Sequence, residues 1–191
     1  ALEETEIELM RMSDLDCPAI DEWLNKHLND GQTVAFNGAD TNLRQAKAWI
    51  ESLEQSGLKI RSELDLIDAL WHDRPAAPKG ELFIVSDDYT GQSIEEKIGA
   101  VRKKMANEKL NAYLLGRTDE SCWLLNFRGM DIPNNPTPYC HTLITKDQVL
   151  FFVDSDKLTS EARKKFQAAG VTIRDYDDVV SVLTGLDSKN R

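Results

Sequence analysis

Between residues 123 and 139 the chain reads WLLNFRGMDIPNNPTPY, and in that stretch Arg128 and Asp131 stand on either side of Gly129 and Met130. Their types suit the recognition of a polar ligand. A guanidinium fork fits a carboxylate or a peptide carbonyl, and a carboxylate accepts from N–H groups. Pro133, Asn134, Asn135 and Pro136 then hold the backbone out of helix before Tyr139 and His141 bring in ring donors and acceptors. Core packing alone does not require that composition. Arg128, Asp131, Tyr139 and His141 are therefore the candidate substrate-facing residues, in a cleft completed by another domain or subunit. The competing reading is structural: Arg128 and Asp131 pair with each other, or with a neighbouring domain, to fix the loop.

Elsewhere the residue types argue against several chemistries. His27, His72 and His141 lie far apart and form no HxxxH or HxxE spacing, so the chain is expected to bind no metal of its own. Cys17, Cys122 and Cys140 form neither a CxxC pair nor a glycine-flanked nucleophile, and read as packing residues of a protein from a reducing, cytosolic compartment. No GxGxxG or GxxxxGK phosphate loop occurs. With 33 acidic against 23 basic side chains the net charge is −10, which disfavours a nucleic-acid backbone or an anionic membrane as partner. The basic run Arg102, Lys103 and Lys104, with Glu95, Glu96 and Lys97, reads as the solvated face of a helix. No apolar run reaches the roughly 20 residues of a membrane span.

The elements that must position the loop follow from periodicity. Strands are expected at residues 6–12, 33–37, 58–60, 81–85, 112–115, 142–145, 149–153 and 171–174. Helices are expected at residues 18–28, 41–56, 65–71, 93–108, 160–169 and 177–183, with a short one begun at Asp119. Ser93 and Glu96 form a capping box, and Gly57 and Gly170 are natural helix stops. Strand, helix, strand, short helix recurs across residues 33–71 and 149–183. This favours an α/β fold of two small domains, each a mixed sheet flanked by helices. Thr90, Gly91 and Gln92 read as the joint. The expected division is residues 1–91 as the C-terminal part of a first domain, 92–185 as a complete second domain, and 186–191 as a tail or linker.

Two blocks resemble a known family. DRPAAPKGELFIVSDDYTGQSIEEKIGAVRKKM is similar to the junction between the first and second domains of the large, three-domain Xaa-Pro aminopeptidases, the aminopeptidase P type of the creatinase and prolidase superfamily. WLLNFRGMDIPNNPTPYCHTLIT is similar to that family's W-x-x-N-x-R-G-x-D-[IV]-x-x-N-P loop and following strand. Thr137 and Pro138 stand where most relatives carry a larger apolar or aromatic residue. The resemblance implies the noncatalytic N-terminal region of a cytosolic metallopeptidase that removes a residue preceding proline. It implies two divalent metals, usually manganese, in a C-terminal catalytic domain absent here, so this chain alone is expected to be inactive. It also implies homodimers and a loop facing the substrate cleft. The alternative is a stand-alone binding module of the same N-terminal fold without peptidase activity.

Overall fold

Local signals set most of the elements. In the computed structural model, which describes residues 5–6, 8–11 and 16–186, the chain divides into two units, Ala1–Pro75 and Ala76–Arg191. In the first unit, helix α1 (Ile20–His27) packs on α2 (Leu43–Gln55), where Asn25 Nδ2 donates to Ser52 Oγ at 3.1 Å. Asn42 caps α2 by accepting from the Gln45 N–H, and Gly57, at φ 77°, lets the chain turn out of it. Strands β1 (Thr33–Ala35) and β2 (Lys59–Arg61) pair in parallel, with α2 as their crossover. Helix α3 (Leu66–Leu70) follows, its first turn capped by Asp65. Leu53 and Leu58 are buried here, and Phe36 meets Trp49 edge-on at 5.6 Å. Of the strand expected at residues 6–12, Ile7 and Met12 lie outside the described residues and the others carry no strand.

The second unit holds the main core. It opens with β3 (Phe83–Ile84) and a single turn of helix, α4 (Asp87–Thr90). Next comes α5 (Ile94–Asn107), with the expected Ser93–Glu96 capping box. Strand β4 (Ala112–Leu115), helix α6 (Thr118–Leu124) and a two-residue strand β5 (Phe127–Arg128) lead into the loop. Beyond it, β6 (Cys140–Thr145) and β7 (Val149–Val153) form a hairpin, and α7 (Ser160–Ala168) crosses to β8 (Val171–Arg174) and the final helix α8 (Asp178–Thr184). The sheet order is β4-β6-β7-β8, antiparallel except for the parallel β7–β8 pair, so the sheet is mixed. The strand-helix-strand-helix order expected twice thus occurs twice, each time around a parallel pair.

Strand β7 reads VLFFV without polar alternation because it lies between β6 and β8 inside the sheet and is buried at four of its five residues. Phe127, Phe151 and Phe166 meet pairwise with centroids 5.1 to 5.8 Å apart. All three rings are fully buried, each worth roughly 1.5–3 kcal/mol in apolar transfer. The units divide at Pro75, ahead of the joint expected at Thr90–Gln92. The residues between belong to the second unit because Leu82 is buried in its core, Phe83 and Ile84 pair with Arg128 and Phe127, and Leu82 N–H donates to Lys157 O at 2.8 Å.

Candidate functional site

The loop from β5 to β6 is built around one carboxylate. Asp131 Oδ1 accepts from the Gly80 N–H at 3.0 Å, while Oδ2 accepts from the Tyr139 N–H at 2.8 Å and pairs with Lys157 Nζ at 2.5 Å. The Asp131 side chain is 0 % exposed and that of Lys157 4 %. Three segments distant in sequence are thereby tied to one point. Two glycines permit the approach. A Cβ at Gly80 would meet the Met130 backbone at 3.0 Å, and one at Gly129 would meet Leu82 and Pro138 at 2.8 and 2.9 Å. Within the loop, Gly129 N–H donates to Pro136 O, Asn135 N–H to Ile132 O, and Asn134 turns through φ 62°. The result is a fixed hairpin whose exposed rim carries Met130, Pro133, Asn134, Asn135, Pro136 and Tyr139.

A second buried network sets the entry to β5. Lys97 is 2 % exposed, and its Nζ donates to Asn126 Oδ1 at 2.5 Å and to Trp123 O at 2.8 Å, with the Trp123 ring centroid 4.8 Å away. Asn126 in turn donates to Asp87 Oδ1 and Gln92 O while its backbone stands at φ 51°. Asp87 is also bridged by Lys165 at 3.0 Å. Burial, then the charge of Arg128, pushes the Lys97 ammonium below the ordinary lysine value. Lys97 is therefore corrected from the solvated face to the apolar one. It lies three residues after Ile94 and four before Val101, on the buried stripe of α5, and its polar end reaches the carbonyl that ends α6.

The candidates separate into different roles. Asp131 is enclosed and saturated, so it supports the loop from beneath and does not face outward. Its partner is Lys157, not Arg128. Arg128 is half-buried, its Nη1 donating to Phe127 O at 2.7 Å and Cys122 O at 3.3 Å, and it has no carboxylate partner among the described residues. Tyr139 keeps its ring at the surface, 5.8 Å from Lys157 Nζ. His141 stacks on Tyr176 at 5.4 Å with an enclosed Nδ1 that meets no donor or acceptor, and burial pushes its imidazole below the ordinary value. Lys157 and Gly80 were missed by sequence reasoning because both act on Asp131 across long separations and neither carries a local signal. Among the described residues no group of three or more His, Cys, Asp or Glu side chains could share a metal ion.

Residues 73–191 match the family model of the Creatinase/Prolidase N-terminal domain. The chain belongs to that family. As a creatinase/prolidase N-terminal chain it is 31% identical over 183 residues to a probable Xaa-Pro aminopeptidase P of Leptosphaeria maculans, covering 95% of this chain and 30% of that protein. A probable Xaa-Pro aminopeptidase P of Aspergillus niger is 35% identical over 164 residues, covering 85% and 26%. Among solved structures, the X-prolyl aminopeptidase of Caenorhabditis elegans, described as a cytosolic enzyme with a di-nuclear active site, superposes with a TM-score of 0.86 at 28% identity, over 93% of this chain and 29% of that one. The chain thus spans about 30% of the length of the relatives it matches.

Proposed function

We propose that this chain is the noncatalytic N-terminal region of a metal-dependent Xaa-Pro aminopeptidase, which removes an N-terminal residue preceding proline. The observation that carries this reading is the match of nearly the whole chain to less than a third of relatives described as Xaa-Pro aminopeptidases. The parent enzyme is cytoplasmic and acts on peptides with proline second, using two divalent metals, manganese by preference, held outside this chain. Within it, the N-terminal region supports a homodimer and shapes the mouth of the substrate cleft. The rim of the β5–β6 loop suits that task. It is held rigid from below by Asp131 and Lys157, and it offers Tyr139 and the half-buried guanidinium of Arg128 for contact. His141 stands at the start of β6 beside them in sequence.

Reading the coding region on both sides of this segment is the direct test. Continuation past Arg191 into a domain with the two aspartates, histidine and two glutamates of a dimetal site upholds the reading. A stop codon there instead favours a stand-alone binding module. For the cleft role, Arg128→Ala in the full-length enzyme is expected to raise KM for an Xaa-Pro peptide several-fold with a smaller effect on kcat. An unchanged KM overturns the assignment of Arg128.

A further inference from the structure

The C-terminal half of α5 borders two hollows that share Met105 and Leu110 as walls. The larger, about 570 Å³, is apolar: Val101, Tyr113, Leu115 and Trp123 line it with the shared pair. Trp123 is 50% exposed, Leu110 46% and Tyr113 44%, so about half of each side chain faces water. The smaller, about 300 Å³, is cationic, lined by Arg102, Lys109 and Lys146 with no acidic side chain among its walls. Arg102 is aimed by its own backbone contact, Nε donating to Thr145 O at 3.1 Å, and none of these three cations is ion-paired among the described residues. In a chain of net charge −10, three uncompensated cations around one depression are a local reversal of the field.

The charged lining of the larger hollow is net acidic, with Glu108, Asp119 and Glu120 against the single cation Lys104. A ligand charged at both ends with the same sign would be repelled there. A ligand with one anionic head and an uncharged apolar tail satisfies both halves: the head at Arg102 and Lys146, the tail along Leu110 and Tyr113 toward Trp123. Hollows of these volumes fall within or at the edge of the roughly 300–1,000 Å³ usual for small-molecule sites. We propose that these two adjoining hollows together form a binding site for a long-chain carboxylate taken up from solution. The proposal is independent of the peptidase reading, since every residue it uses lies between 101 and 146.

Calorimetric titration of the purified chain with dodecanoate, kept below its micelle concentration, tests it. The expected result is one site in the micromolar range, weakening roughly tenfold for each pair of methylenes removed from the chain. Lys146→Gln, in an exposed turn, and Arg102→Gln are each expected to weaken binding about tenfold, with far-UV dichroism and melting unchanged. Tyr113→Ala is expected to weaken dodecanoate more than octanoate. Dodecyltrimethylammonium, with the same tail and the opposite charge, is expected not to bind. No heat with dodecanoate, equal binding of the cationic amphiphile, or full affinity in both Arg102→Gln and Lys146→Gln overturns the proposal.

Discussion

A carboxylate removed from water costs several kcal/mol unless a counter-charge and hydrogen bonds replace its hydration, and Asp131 has all of these: one ammonium and two backbone N–H groups. Asp131→Ala would leave Lys157 charged and enclosed. The expected loss is about 3–5 kcal/mol, read as a lower urea midpoint, while Lys157→Met in the same background should restore part of it. Cysteine reactivity offers a second check at this scale. Burial pushes the Cys122 thiol up to about 12 and Cys140 higher still, whereas Cys17 is partly exposed. Titration of the native chain with a thiol reagent at pH 8 is expected to modify Cys17 alone, with Cys122 and Cys140 reacting only after denaturation. The sequence made Arg128 and Asp131 visible as a pair of interest because their types are costly without a purpose. It could not show that they part company, since the partner that separates them, Lys157, arrives from a turn with no signature of its own.

Elements with strong local chemistry were legible. The capping box of α5, the long apolar stripe behind it, and the β6–β7 hairpin follow from spacing within a few residues. Strand β5 and helix α4 were not, because two and four residues are too short to show a period and exist only through their neighbours. Asn126 is where these short pieces depend on one another, and Asn126→Ala would put a Cβ-bearing residue without a stabilising amide at φ 51° while leaving the Lys97 ammonium with one partner fewer. A loss of about 2–4 kcal/mol is expected, measured by chemical denaturation. Strand β6 carries a pH dependence as well. The folded state holds His141 below its ordinary value of 6.5 by burial, so the unfolded chain binds the proton first. Stability present above about pH 6.5 is therefore lost as the pH falls toward the folded-state value. His141→Gln is expected to flatten that part of the stability profile.

For the whole molecule, the contiguous core lies within the second unit, from Leu82 to Val171, whereas among the described residues the buried apolar side chains of the first are Leu53 and Leu58. Two such units should not melt as one. Calorimetry is expected to resolve a weaker transition from a stronger one, and a fragment of residues 76–186 should keep the stronger. That two α/β units exist was readable from the repeated element order. The Thr90–Gln92 turn is a stronger local punctuation than residues 72–80, whereas β3 is drawn to the second unit by long-range contacts without a local signal, the pairing of Phe83 with Arg128 and the burial of Leu82. The Asp131 tie has a further consequence for synthesis. Gly80 leaves the ribosome long before Asp131, and Asp131 before Lys157, so a nascent chain paused between the last two must keep its loop open to water. The second unit thus cannot be completed piecemeal in the order it is translated, and the helices and strands already made must wait for one lysine to emerge.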